Sequence, residues 1–189
     1  MSTDTRTSLL NSAEAAARAR GFDGFSYADL AEDVGIRKAS IHHHFPTKAA
    51  LSVALMQRYH ETLASACAEI AQQHDTAGAR LNALVEFYRD ALKGGKSLCL
   101  CVSFSISRES LSAPVITEIA AFREMLIGWL SAVFTEGETD KSIADVQDPA
   151  AEAAAALALI EGAQLAARAQ EDVTLFDTSL ALLRQRLQT

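Results

Sequence analysis

Between Ser26 and Phe45 the chain reads SYADLAEDVGIRKASIHHHF, and few local structures accommodate that order of residues. Ser26 is a strong N-cap, and Asp29 three positions on completes a capping-box pattern. Tyr27, Leu30, Ala31 and Val34 then recur at helical spacing, which predicts a short helix with one buried face. Gly35 follows, where a left-handed conformation ends a helix at low cost. Ile36 is apolar and is expected to plug the gap between two helices. A second short helix is predicted from about Arg37 to His44, with Ile41 and Phe45 inward. Arg37, Lys38, Ser40, His42, His43 and His44 are left for the outside. Donors on an exposed helix held against a small core are what a helix-turn-helix reading head needs.

Charge is distributed unevenly around that stretch. The 189 residues carry a formal net charge of −7 and are 49% hydrophobic, enough for a sizeable core. Residues 1–48 hold six Lys/Arg against six Asp/Glu, so the remaining 11 and 18 of the chain's 17 and 24 put the whole −7 in residues 49–189. A neutral head binds phosphates only if its few cations share a face, and its field is weak, so dimerisation matters. Ala and Leu dominate while Gly and Pro are few, which favours an all-helical chain. The three cysteines, Cys67, Cys99 and Cys101, are an odd number without secretory features, which argues against a disulfide framework. The opening MSTDTRTSLL has no long apolar core and is not read as a signal peptide. The longest apolar run, about Ala153 to Ile160, is far short of the ~20 residues of a membrane span. A soluble cytoplasmic protein is expected.

Along the chain, residues 4–20 read as a first helix with Leu9, Ala13, Ala16 and Ala17 buried and Gly21 at its end; Arg6 in its first turn is within reach of a phosphate. Pro46 stops the reading helix and Thr47 can cap the next, from about Lys48 towards Gln73, with Leu51, Leu55, Tyr59, Leu63, Ala66 and Ile70 as its stripe. Asp75 to Lys93 reads as a fifth helix, ended by Gly94-Gly95. LCLCVSFSIS alternates like a strand, but a lone strand in a helical chain has no partner, so a short buried helix is expected. From Val115 the inward set is Ile119, Phe122, Leu126, Trp129 and Val133. Thr135 to Asp148 is polar and acidic and reads as a mobile connection. Two last helices, about Pro149–Gln170 and Thr174–Leu187, carry respectively an alanine-rich surface and the stripe Phe176, Leu180, Leu183, Leu187. Both helices either close the monomer's own core or form half of a four-helix interface with a second copy.

Three consecutive histidines diverge by ~100° each on a helix and cannot close around one ion, so no metal site is read there. Cys99 and Cys101 read as small buried hydrophobes, or as a thiol in a ligand pocket whose reactivity needs a lowered pKa from His60, Lys96 or Arg108. No nucleophile elbow, HExxH, phosphate-binding glycine loop or CxxC is present, so an enzyme is not expected and no cofactor is assigned.

With GFDGF before it and PTKAAL after it, the 26–45 stretch resembles the DNA-binding domain of the tetracycline-repressor (TetR) family. The shared pattern is Gly21-Phe22 after an amphipathic helix, Asp29-Leu30-Ala31, Gly35-Ile36, Lys38-Ala39-Ser40-Ile41, His43-His44-Phe45 and Lys48, over about residues 6–55. Two positions depart from it. The family usually has Tyr where this chain has His42, and Ser or Thr where it has Arg37; both differences bear on the operator sequence rather than on the class of ligand.

The resemblance implies an all-α protein with an N-terminal three-helix head, residues 1–48, its helix-turn-helix at 26–45. It implies a helical effector-binding and dimerisation body at residues 49–189. It also implies a ligand-responsive transcriptional regulator, most readily a repressor, that binds double-stranded DNA as a homodimer and is released by a small-molecule effector. Lys48 looks like the family's phosphate-contacting lysine. The expected DNA contacts are Ser26, Arg37, Lys38, Ser40, His42, His43 and Lys48, with Arg37 and Lys38 as base readers and Lys48, His42 and Ser40 on phosphates. His44 is left between the inside and the outside. In similar proteins the segments holding Phe104, Met125 and Trp129 line an effector pocket, so these, with Cys99 and with His60 or Arg123 as a polar anchor, are the pocket candidates. The resemblance also favours the intersubunit reading of the last two helices.

Overall fold

A computed structural model describes residues 4–188; the outer limits of the two expected domains, 1 and 189, lie outside that range. Among the described residues there are nine α-helices: α1 Thr5–Arg20, α2 Tyr27–Val34, α3 Lys38–His44, α4 Lys48–Gln73, α5 Ala77–Ala91, α6 Leu100–Ile106, α7 Ala113–Asp140, α8 Pro149–Gln170 and α9 Thr174–Gln185. Short 3₁₀ turns cover Phe22–Gly24 and Arg108–Ser110. The chain forms two compact units. One runs to Glu61 and takes in Leu100–Phe122; the other comprises Thr62–Cys99 and the chain from Arg123 onward.

In the first unit α1 buries Leu9, Leu10, Ala13 and Ala17. Ala16 is only half-buried, because the stripe turns towards Leu10. The small Ala17 allows α6 to approach closely, and Ser103 Oγ donates to the Ala17 carbonyl. Phe104, fully buried, meets Phe22 edge-on with ring centres 5.4 Å apart. LCLCVSFSIS is therefore helical from Leu100, and its alternation is explained by burial on nearly every side: Leu98 to Phe104 are all below one-tenth exposed. Arg58 of α4 reaches back to α1, donating to Asn11 Oδ1 at 2.8 Å and Glu14 Oε2 at 2.6 Å.

In the second unit the α8–α9 hairpin is tied to its neighbours by ion pairs. Arg89 of α5 grips Asp177 of α9 through both carboxylate oxygens, at 2.7 and 2.8 Å. Arg184 donates to Glu86 at 2.6 Å, and Arg186 pairs with Glu152 at 2.8 and 2.9 Å. Gly95 has φ +89°, and a Cβ there would lie 2.7 Å from the Ala167 carbonyl oxygen, so the α5–α6 turn tolerates no side chain.

The expected mobile connection at 135–148 needs correction. α7 continues to Asp140, because Leu130, Val133, Phe134 and Gly137 extend its buried stripe beneath a polar outer face. The short remainder is anchored. Asp140 Oδ2 accepts from Ala77 N, Ser142 Oγ accepts from Gly78 N at 2.7 Å, and Ile143 is buried and bridges to Leu187. Trp129 is likewise only half-buried, its inward place taken by Leu130. Ala66 and Leu187 also stand at the margin of their stripes rather than inside.

Candidate nucleic-acid interface

The two short helices owe their placement to local chemistry. Ser26 Oγ accepts from the amides of Ala28 and Asp29, while Asp29 Oδ2 accepts from Ser26 N at 2.6 Å and Ser26 Oγ at 2.8 Å, a complete capping box. Those bonds hold the Asp29 carboxyl below its ordinary pKa. Gly35 ends α2 at φ 71°, ψ 34°, the left-handed region, and the amides of Gly35 and Ile36 return to α2 carbonyls. α2 buries Tyr27 and Leu30, with Ala31, Val34 and Ile36 half-covered. α3 is anchored by Ile41, fully buried, and by Phe45 just beyond its end.

Tyr27 ties α3 down. Its buried hydroxyl donates to the Phe45 carbonyl at 2.8 Å, and burial pushes its pKa up to about 12. With α3 fixed, Arg37, Lys38, Ser40, His42 and His43 are all exposed and lie on or at the N-cap of that one helix; His44 is half-buried, its ring 5.8 Å from that of His43. Arg6 of α1 stands over the Phe45 ring at 5.2 Å.

Lys48 is placed differently from the other cations. Its ammonium donates to the carbonyls of Phe22 at 2.6 Å and Phe25 at 2.7 Å, and lies 4.5 and 4.3 Å from the centres of the two phenyl rings. Desolvation lowers its pKa, opposed by the carboxylates of Asp23 and Asp29. A phosphate contact from Lys48 must therefore come from an ammonium already holding two carbonyls, with one proton to spare. Ser26 has the same character, its hydroxyl being engaged by the cap.

These side chains enclose a cleft of about 340 Å³ lined by Phe25, Ser26, Tyr27, Lys38, His42 and Lys48. Two lysines, a hydroxyl and an imidazole border this cradle, with the Ser26 hydroxyl and two of the three Lys48 protons already engaged in its wall. His42 lies 5.0 Å edge-on to Tyr27, and its Nδ1 is 3.2 Å from the Pro46 carbonyl oxygen. Neither Tyr27 nor the Pro46 carbonyl belongs to the candidates read from the sequence. The cap just before Tyr27 was the available signal, whereas nothing in the residue pattern points to Pro46.

The expected effector residues fall in both units. His60, half-buried with its ring 6.2 Å from Phe122, and Phe104 belong to the first. Cys99, Arg123, Met125 and Trp129 belong to the second, where the Cys99 amide donates to Gln164 Oε1 at 2.8 Å and Arg123 pairs with Glu161. Cys67, Cys99 and Cys101 are all buried and outside any disulfide, and burial pushes the Cys67 thiol up to about 11.

Residues 9–55 match the family described as bacterial regulatory proteins, tetR family. Over 191 aligned positions the chain is 25% identical to the HTH-type transcriptional repressor NemR of Escherichia coli (strain K12), spanning 98% of this chain and 95% of that one. A crystal structure of a TetR-family transcriptional regulator from Agrobacterium tumefaciens superposes with a TM-score of 0.92 at 28% identity, over 98% of both chains. The reduced form of E. coli NemR does so with a TM-score of 0.83 at 25% identity, over 99% of this chain and 98% of that one.

Proposed function

We propose that this chain, which matches the tetR family of bacterial regulatory proteins over residues 9–55, is a TetR-family repressor that grips a near-palindromic operator as a homodimer and releases it when a small molecule enters the body. The proteins it is similar to are regulators, not enzymes. Residues 1–48 would read the DNA; residues 49–189 would bind effector and a second subunit. The observation that carries the reading is the exposure of Arg37, Lys38, Ser40, His42 and His43 on or at the N-cap of α3, a helix fixed by Ile41, Phe45 and Tyr27.

In this reading α3 enters the major groove, with Arg37 and Lys38 at base edges and His43 beside them. Ser40, His42 and the remaining proton of Lys48 hold phosphates, with Ser26 at the rim of the cradle. The two heads of a dimer then sit roughly 34–36 Å apart. α4 begins three residues after α3 and changes unit after Glu61, which makes it the element through which an effector would shift the head.

The second subunit would seat on the α8–α9 hairpin. α8 is long and apolar enough to cross a membrane by length and composition, yet only 39% of its most apolar window is buried. Outward on it and on α9 lie Leu159, Leu165 and Leu182, 36%, 42% and 75% exposed, among Ala154, Ala155, Ala158 and Gly162. Small residues flanked by leucines allow two such hairpins to close into a four-helix interface. Such a protein works where the chromosome is, in the cytoplasm.

Fluorescence anisotropy with the DNA around the protein's own coding region, at two salt concentrations, tests the reading. Tight binding that weakens steeply with salt, and that is lost in an Arg37→Ala, Lys38→Ala double variant, is expected. Salt-independent binding, or binding unaffected by the double substitution, would refute it.

A further inference from the structure

The cradle at the head carries a chemical asymmetry that the DNA-binding reading, on which this inference rests, does not use. His42 Nδ1 faces the Pro46 carbonyl oxygen at 3.2 Å, and a carbonyl only accepts, so Nδ1 carries the proton. In the neutral ring Nε2 then holds a lone pair. A phosphodiester oxygen is also only an acceptor, so a neutral His42 presents a lone pair to a lone pair. The ring donates to phosphate only after Nε2 gains a proton. The Tyr usual in the family at this position is a neutral donor and needs no such step.

We propose that His42 contacts operator phosphate as an imidazolium, so that each head takes up one proton at His42 Nε2 on binding DNA and operator affinity is linked to pH.

The groups around the ring favour that coupling. From α2, Tyr27 packs edge-on at 5.0 Å; its hydroxyl is committed to the Phe45 carbonyl, and it stays neutral. From α3 itself Lys38, and from α4 Lys48, line the same cleft. From the turn before α2, Ser26 lines it too, with the Asp29 carboxylate drawn onto Ser26. A phosphate seated in this cleft places a negative charge beside the ring, which favours the imidazolium in the complex and couples its proton to the DNA.

The probe is a duplex selected from random sequence by the wild-type protein. Its affinity is measured by anisotropy at about pH 6 and about pH 8, the range in which an imidazole changes charge, at constant ionic strength. The wild type should bind more tightly at the lower pH, by up to about tenfold per pH unit for each subunit. H42Q, whose amide donates at any pH, and H42Y should bind with a flat profile, while H74Q, just past the end of α4, should keep the wild-type slope. A flat wild-type profile, or a slope that survives in H42Q, overturns the proposal while leaving the DNA-binding reading intact. Failure to select any duplex would sink that reading and this inference with it.

Discussion

At the scale of single residues, Lys48 shows how a side chain of the candidate site also holds the fold. Its two carbonyl acceptors, from Phe22 and Phe25, sit on the turn between α1 and α2, so the ammonium joins that turn to the first residue of α4. Lys48→Met keeps the alkyl stem over the two rings but strands both carbonyls. It should cost about 2 kcal/mol in urea denaturation, since each half-buried acceptor loses a charged donor. The sequence marks Lys48 as a cation near DNA through a family pattern, but it cannot show that the ammonium turns back onto its own backbone. That depends on where Phe22 and Phe25, more than twenty positions earlier, are brought by folding. The exposed set Arg37, Lys38, Ser40, His42 and His43 was legible because it follows from helical period and two inward anchors alone.

Helices and their ends were the most readable scale, because caps are local. The capping box at Ser26 and the left-handed Gly35 are both found as their residue types require. Gly35→Ala has open space for a Cβ but keeps φ at +71°, so it should cost about 1 kcal/mol of stability in thermal or urea melts. Gly95→Ala meets two backbone segments as well, the Ala167 carbonyl and Glu171, and should cost about 2 kcal/mol or more in the same assay. Equal losses at the two glycines would contradict the close approach of the α5–α6 turn to α8. The C-terminal part of α7 was illegible for the opposite reason. TEGETDKSIADVQD reads as loop by composition, yet helix persists wherever one face is buried, and Phe134 and Gly137 supply that face.

At the scale of the whole molecule, acid and association are the informative perturbations. Asp29, Asp140, Asp172 and Asp177 have folded pKa values below their ordinary ones, held down by Ser26, by Ser142 and the Ala77 amide, by Thr174 and by Arg89. A depressed carboxylate contributes stability that is complete above its unfolded pKa, about 4, and is lost as pH falls through the folded value. Melting temperature should therefore hold from neutral pH to about pH 5 and fall progressively below about pH 4; D177N, which also weakens the Arg89 grip, should blunt that fall. Leu182, three-quarters exposed on α9, gives the test of association: Leu182→Glu should leave the monomer folded but shift sedimentation equilibrium towards a single chain. An all-helical chain with a reading head was evident from composition and the 26–45 pattern. The division of the chain by packing was not, because it depends on α6 finding α1 across some eighty residues of sequence.

That packing bears on how the head could be transplanted. A hybrid repressor made by joining residues 1–48 to a foreign body would carry the reading helix but leave behind Ser103 and Phe104, which cover Ala17 and Phe22. The compact unit that holds the head is discontinuous in the gene, residues up to 61 together with 100–122. A fusion cut at the helix boundary would bring the exposed α3 side chains to the new protein without the cover that closes the back of α1.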